Sequence, residues 1–184
     1  MSNKLSIKKY VIICSFVLIF GIGMHFLYEF SNRSFIIGLF TPVNESVWEH
    51  LKLVYFPFVF LGILLNIFFN KNYDFNVKVW NYINVSIIKI SIFIVTFHYL
   101  YSFIFSDSSI IYDIILYYVS MLYGFKIVYN IFKKDNALLN VKNINFHILS
   151  LFIFFIIFII FTIHPPKLNL FRDPISNTYG IFML

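Results

Sequence analysis

The sequence has 184 residues, of which 60% are hydrophobic and only 12% are charged, whereas soluble globular proteins carry about 25% charged residues. This composition excludes an ordinary soluble domain and predicts a chain that lies in a lipid bilayer. The net charge of +6 does not indicate nucleic-acid binding, because the basic residues stand in short segments between apolar runs, where they set membrane orientation. Cys14 is the only cysteine, which excludes an internal disulfide and a thiolate metal cluster.

Five apolar runs approach the roughly 20 residues that a helix needs to cross a bilayer. No polar stretch is long enough for a second folded unit, so the sequence predicts a single all-α integral membrane bundle over residues 1–184. The predicted spans are 10–30, 44–69, 79–105, 110–132 and 146–163, followed by a tail at 164–184. Pro57 predicts a kink in the second span.

The lysines predict the orientation of these spans. The third loop, residues 106–109, has no basic residue, whereas the N-terminus, the second loop and the fourth loop carry Lys4, Lys8, Lys9, Lys71, Lys78, Lys133, Lys134 and Lys142. The positive-inside rule therefore puts the N-terminus in the cytoplasm and, after five crossings, the C-terminus outside. The many Phe, Ile, Asn and Lys residues beside a single alanine are typical of an AT-rich bacterial genome, so we expect a multi-pass protein of a bacterial cytoplasmic membrane.

In this orientation, ionisable residues gather at the outer ends of the spans. Four of the five histidines lie there, and among the acids only Asp74 and Asp135 lie at the inner side. Such groups are costly at membrane depth unless they are partnered, so their clustering predicts a functional site. The candidates for catalysis or metal ligation are His25, Glu29, Glu49 and His50. The further candidates for binding are Asn44, Glu45, Ser46, Trp48, His98, Asp113, His164 and Asp173.

The polar segment 41–52 has two interpretations. In the structural one it begins a helix, either with Thr41 as the N-cap and Pro42 at the first helical position, or with Ser46 and Glu49 as a capping box. In the functional one it contributes side chains to a site. Capping accounts for the acidic residues of the segment but not for His50, so we favour a functional role.

Imidazoles and carboxylates on neighbouring spans indicate three kinds of chemistry. A divalent transition metal such as zinc or iron suits them, and His25 and Glu29 have the helical spacing by which two ligands meet one ion. The sequence lacks a His-Glu-x-x-His motif, so proton relay and structural hydrogen bonds between helices stand as alternatives. The sequence also lacks a Gly-x-Ser-x-Gly motif and a glycine-rich phosphate loop, so a serine hydrolase or a nucleotide-binding protein has no support.

The tail after His164 is too short and too rich in proline to span a membrane. Pro165 and Pro166 stop the fifth helix. The tail then either folds over the polar cluster as an outer loop or lies at the membrane interface, with Arg172 and Asp173 paired or solvated.

Three blocks of the sequence resemble a family of bacterial multi-pass membrane proteins that is classed as a domain of unknown function, number 6512. They are residues 23–31 (GMHFLYEFS), residues 38–52 (GLFTPVNESVWEHLK) and the tail from Pro165-Pro166 through Asp173-Pro174 to Ile181. The resemblance covers nearly the whole chain and implies a membrane protein, but it implies no activity. It directs attention to His25, Glu29, Asn44, Glu45, Ser46, Trp48, Glu49 and His50. The chain departs from the family pattern at Phe30 and Asn177, where we expect Trp and Gly.

We therefore expect an integral membrane protein with a small-ligand, ion or proton site near the extracytoplasmic face. The alternative is a membrane-embedded, metal-dependent hydrolase that acts on lipid or envelope substrates. The lipid bilayer is the expected partner. With 184 residues and no internal repeat, a transporter would need to form a homo-oligomer.

Overall fold

The computed structural model describes residues 3–69, 73–105, 109–132 and 144–181. Within these ranges the chain is helical, and the pairing of extended backbone amounts to one isolated bridge between Arg172 and Tyr179. The helices are α1 (Asn3–Phe30), α2 (Phe35–Gly38), α3 (Val47–His50), α4 (Lys52–Phe69), α5 (Tyr73–Phe105), α6 (Ile110–Tyr129) and α7 (Ile144–Ile163). Short 3₁₀ turns occupy Asn130–Phe132 and Asn169–Phe171.

Five helical segments are long and apolar enough to cross a membrane, which confirms the all-α class with five candidate spans. They are Ile7–Phe30, Val47–Phe69, Tyr73–Phe105, Ile110–Phe132 and Ile144–Ile163. The orientation of the termini stays a prediction. Several residues on which it depends, namely Lys71, Lys133, Lys134, Lys142 and the loop 106–108, lie outside the described residues.

Helix ends on the water side differ from the hydropathy prediction. The helix α5 begins at Tyr73, six residues before the predicted start at 79, and Asp74 in its first turn favours the positive end of the helix dipole. The second span begins at Val47, three residues after the predicted start at 44, and it is divided at Leu51 into α3 and α4. Hydropathy marks only the apolar part of a helix, so polar turns that extend it into water are not visible in that pattern.

Pro57 lies inside α4 at a junction of three helices. A proline cannot donate the hydrogen bond to the carbonyl four residues earlier, which here belongs to Leu53. The Tyr117 hydroxyl of α6 instead lies 3.4 Å from this carbonyl oxygen as a donor. Gly21 of α1 makes room for the junction, because a β-carbon at Gly21 would lie against the Tyr117 hydroxyl.

The core lies around α4, which packs against α1 and α5, while α5 also packs against α6 and α7. Phe58, Leu61, Leu65, Ile83 and Ile90 are fully buried there. Such a core is filled by apolar side chains. The buried ion pair and the cluster of imidazoles described below lie at the end of the bundle where α1 ends and α4 begins.

Two buried polar residues of α5 bond to backbone carbonyls of other helices. The Asn84 amide donates to the carbonyl of His147 at 3.1 Å, and the Ser86 hydroxyl donates to that of Gly124 at 3.4 Å. These bonds satisfy the polar groups and join α5 to α7 and to α6.

Candidate functional site

The polar segment 41–52 begins as irregular backbone and becomes helical only at Val47. Ser46 has an extended conformation, and its hydroxyl accepts a hydrogen bond from the Glu49 N–H at 3.3 Å. The Glu49 carboxylate does not return to the Ser46 N–H, which donates instead to Asn44 Oδ1 at 3.0 Å. Ser46 is therefore the N-cap, with half of the predicted capping box, whereas the Thr41 hydroxyl donates to the carbonyl of Ile37.

Glu49 and Lys52 form an ion pair inside the protein, which we name the buried pair. The exposed fractions of their side chains are 2% and 0%, and Lys52 Nζ lies 2.6 Å from Glu49 Oε2. The other donors of the ammonium group bind the carbonyls of Gly38 at 2.8 Å and Thr41 at 3.1 Å, so all three are used.

The Glu49 carboxylate has further partners on both oxygens. Oε2 accepts the N–H of Val43 at 3.1 Å, and Oε1 lies 3.0 Å from the hydroxyl of Thr162 on α7. The buried pair thus fastens the loop before α3 and the end of α7 to the start of α4. A buried charge needs such complete pairing, because an unpaired one is strongly destabilising.

His25, Glu45 and His50 form a second group, which we name the imidazole cluster. His50 Nε2 lies 3.3 Å from His25 Nε2 and 3.4 Å from Glu45 Oε2, and His25 Nε2 lies 3.9 Å from Glu45 Oε2. The side chains are half-buried, with exposed fractions of 35% for His25, 44% for Glu45 and 30% for His50. Their converging atoms form a group that is able to hold a metal ion.

The orientation of the His50 ring is set by backbone. Its Nδ1 lies 3.0 Å from the carbonyl oxygen of Ser46, and a carbonyl only accepts, so Nδ1 carries a proton and donates it. In a neutral ring the lone pair is then on Nε2, which faces His25 and Glu45. This arrangement is the usual one for a histidine that ligates metal through Nε2.

Glu45 is in the irregular loop and is the acid nearest to both rings. When the His50 ring is protonated, its hydrogen bond lowers the pKa of the Glu45 carboxyl below the ordinary value, against the opposing effect of burial, and the charges of His50 and His25 add to the lowering. Glu45 is therefore an anion at neutral pH, as a metal-ligating carboxylate must be.

A cleft of about 790 Å³ opens beside the imidazole cluster. The end of α1 supplies one wall with His25, Glu29 and Arg33, and the loop 42–45 supplies another. Residues of the tail form the remaining wall, lined by Asp173, Ile175, Ser176, Thr178, Gly180 and Ile181. The described part of the tail therefore lies against the polar residues, and its position relative to the membrane interface stays a prediction.

The tail makes its own turn before it reaches the cleft. The Asp173 carboxylate accepts the N–H of Ile175 at 2.9 Å and the hydroxyl of Ser176 at 2.6 Å. The tail then returns to α7, where the Ile181 N–H donates to the carbonyl of Thr162 at 2.9 Å. The Asp173 side chain thus stabilises the turn that forms one wall of the cleft.

The remaining predicted residues lie apart from the imidazole cluster. Glu29 pairs with Arg33 on the exposed end of α1, with Oε1 3.1 Å from Arg33 Nε. His98 pairs with Asp113 between α5 and α6, with Nδ1 and Oδ1 2.8 Å apart. His164 is exposed after the end of α7.

Trp48 has a packing role. Its ring lies against those of Phe158, Phe161 and Phe171, with centroids 5.0 to 5.3 Å apart. These contacts join α3 to α7 and to the 3₁₀ turn of the tail.

The sequence predicts that Glu49 lies with His25 and His50 as a candidate ligand. In the structure the carboxylate beside these two rings is that of Glu45. Glu49 does lie on α3 next to His50, but its carboxylate binds Lys52 inside the protein. Glu45, in the irregular backbone before Val47, lies beside the rings instead. The partner of Glu49, Lys52, was not among the candidates. Its signal was a Glu and a Lys three residues apart at the start of an apolar run, a spacing that favours an ion pair.

The comparisons with known proteins identify a family but no activity. The model of a family described as "Family of unknown function (DUF6512)" matches residues 1–181, which confirms the resemblance noted in the sequence. No curated protein and no solved structure matches the chain.

Proposed function

The chain belongs to the DUF6512 family of unknown function, and from its geometry we propose that it is a membrane protein that binds a divalent transition metal ion. The ligands are His25, Glu45 and His50. Zinc is the ion that fits them best.

The spacing of the three ligand atoms carries this proposal. At metal–ligand distances of about 2.0–2.1 Å, the corners of a tetrahedral zinc site lie about 3.3–3.4 Å apart. Two of the three separations in the imidazole cluster are 3.3 and 3.4 Å, and the third, to the exposed carboxylate of Glu45, is 3.9 Å. A short movement of the Glu45 side chain brings the three atoms to the required geometry.

Three protein ligands leave the fourth position of a tetrahedral ion for water or substrate, as in catalytic zinc sites. His25 and Glu45 line the cleft, so we place this fourth position toward the cleft. The arrangement also supports the second candidate, a metal-dependent hydrolase in which the ion activates water against a lipid or envelope substrate. The apolar walls formed by Phe26, Ile175 and Ile181 favour a substrate with an apolar part.

Proton binding is the competing use of the same side chains. A protonated His50 would donate from Nδ1 to the Ser46 carbonyl and from Nε2 to Glu45, with no ion present. The 3.4 Å separation of His50 and Glu45 is longer than the 2.7–2.9 Å of a charge-assisted hydrogen bond. A hydrogen bond at this separation is weak, so the metal content of the wild type and its loss in His50→Ala distinguish the ion from the proton.

Metal analysis of the full-length protein, purified in detergent and dialysed against zinc, tests the proposal. We expect about one zinc per chain in the wild type and a loss of affinity of more than about 100-fold in His25→Ala and His50→Ala, since even outer partners of a metal ligand are worth 10–100-fold. His98→Ala is the matched control, because His98 also pairs with a carboxylate but lies on α5. Equal zinc in His50→Ala and wild type would exclude the site.

Zinc binding also allows a test of which side of the membrane the cleft faces. With the N-terminus inside, the cleft faces outward, and we propose that this is the extracytoplasmic face of a bacterial cytoplasmic membrane. A chelator that does not cross membranes should then strip zinc from right-side-out vesicles. Retention of the zinc there, with release only after detergent is added, would reverse the orientation.

A further inference from the structure

Asn44 uses both ends of its side-chain amide. Oδ1 accepts the N–H of Ser46 at 3.0 Å, and Nδ2 donates to the carbonyl of Gly180 in the tail at 3.4 Å. One side chain thus joins two segments that lie 136 residues apart in the sequence. Both groups of the amide are thus bound to backbone, and Asn44 also lines the cleft.

The Ser46 end of this connection leads directly to the imidazole cluster. The carbonyl of Ser46 accepts from His50 Nδ1 and so fixes the direction in which Nε2 points. Glu45 lies between Asn44 and Ser46 in the chain. The turn that Asn44 closes therefore positions two of the three proposed ligands.

We propose that Asn44 is a positioning residue that couples the docking of the tail to the affinity of the metal site. The inference rests on the proposed metal function and adds a condition to it. His50 and Glu45 hold the ion tightly only while Gly180 is bound to Asn44.

A second connection holds the tail in the position that Asn44 requires. The Ile181 N–H donates to the carbonyl of Thr162, whose hydroxyl lies against Glu49 of the buried pair. Gly180 has φ +56°, and a β-carbon there would lie against the carbonyl oxygen of Thr162 and the ring of Pro165. Only glycine combines this conformation with this close approach, so the docked position of the tail is built into its sequence.

Coupling of this kind acts in both directions. If the docked tail raises the affinity for zinc, zinc must stabilise the docked tail by the same free energy. Trypsin needs an extended, accessible backbone at the bond that it cuts, and in the docked tail Arg172 pairs with Tyr179 as a β-bridge. Faster cleavage after Lys167 and Arg172 therefore reports the undocked tail.

The first experiment is a zinc titration against a competing chelator with the full-length protein in detergent. We expect Asn44→Ala to lower the affinity by 10- to 100-fold, the range for outer partners of metal ligands, and to shift the visible spectrum of the cobalt-loaded protein. Asn84→Ala is the matched control. Asn84 also bonds to a distant carbonyl, that of His147, but belongs to the body of the bundle, and we expect its affinity to stay within twofold of the wild type.

The second experiment changes the tail instead of Asn44. It therefore also tests the coupling if Asn44→Ala fails to fold. Gly180→Ala should displace the tail, lower the zinc affinity and speed tryptic cleavage at Lys167 and Arg172. Zinc should slow that cleavage in the wild type and not in Gly180→Ala. If the wild type binds zinc and neither variant changes its affinity or protection, the coupling is wrong and the metal site stands. If the wild type binds no zinc, the metal site and the coupling both fail.

Discussion

The buried pair and the imidazole cluster both include residues of the polar segment 41–52, yet they differ in burial and in hydrogen bonding. Glu49 and Lys52 are enclosed, and every donor of the ammonium group has an acceptor. His25, Glu45 and His50 are half exposed, and their ligand atoms converge within 3.3 to 3.9 Å of one another. A buried ion pair whose hydrogen-bonding groups all have partners is typical of a structural role. Titratable side chains that converge beside a cleft are typical of a binding or catalytic site.

The charge of a residue therefore does not by itself decide whether its role is structural or functional. Glu49 and Glu45 are both acids in the same loop-to-helix segment, and their burial and their partners distinguish them. The buried pair maintains the fold on which the imidazole cluster depends, so changes in the two groups should affect different measurements.

The largest effect should follow from breaking the buried pair. Lys52→Met removes the ammonium group and leaves the Glu49 carboxylate buried without its cation, which should lower the free energy of unfolding by about 3–5 kcal/mol. Unfolding in mixed micelles measures this change. Arg33→Gln is the control, since it breaks an exposed pair and should cost less than about 1 kcal/mol. Equal effects of the two substitutions would contradict the structural role of the buried pair.

A double variant keeps this test informative if Lys52→Met does not fold. Glu49→Gln with Lys52→Met removes both charges, and it should be more stable than Lys52→Met alone because no unpaired charge is left inside. A double variant less stable than the single one would show that the charge of Glu49 is not the cause of the damage.

The imidazole cluster should respond to zinc instead. Zinc at 100 times its dissociation constant should raise the free energy of unfolding of the wild type by about 2.7 kcal/mol, the amount that binding to the folded state alone supplies. The same zinc concentration should leave His50→Ala unchanged. Unfolding with and without zinc measures both, and stabilisation of His50→Ala equal to that of the wild type would assign the effect to another site.

The smallest effect should come from Glu45 in the absence of metal. Its pKa is lowered in the folded protein by the hydrogen bond from His50, so Glu45 contributes stability above its unfolded pKa, about 4.3, and loses it as the pH falls through the lower folded value. We therefore expect Glu45→Gln to cost less than about 1 kcal/mol at pH 7, with the difference from the wild type vanishing in acid. A difference that grows as the pH falls would have the wrong sign for a lowered pKa.

Much of the fold followed from hydropathy, because each of the five spans is a continuous apolar helix. The starts of α5 and α3 were misplaced, since the residues at these ends are polar and their helical state depends on capping and tertiary contacts. The approach of His25 to His50 was accessible from the sequence, since both lie at the same predicted end of neighbouring spans. The presence of Glu45 rather than Glu49 beside the two rings was not accessible from the sequence, because it depends on the irregular backbone before Val47 and on the position of Lys52.

The Asn44 connection also lay beyond sequence reasoning. Nothing in residues 41–52 indicates that Gly180 will be the partner of Asn44, since hydrophobic periodicity carries no information on contacts between irregular segments. The docking of the tail became visible only in the hydrogen bonds of Gly180 and Ile181.

The separation of partners along the chain has a consequence for biosynthesis. Lys52 and Glu49 are three residues apart and meet within one helical turn, whereas Thr162 is 113 residues from Glu49 and is synthesised long afterwards. Until α7 is synthesised, the acid and the base therefore have only each other and the nearby loop as partners. Their mutual neutralisation lowers the cost of moving two charges out of water, and α7 completes the arrangement when it is added.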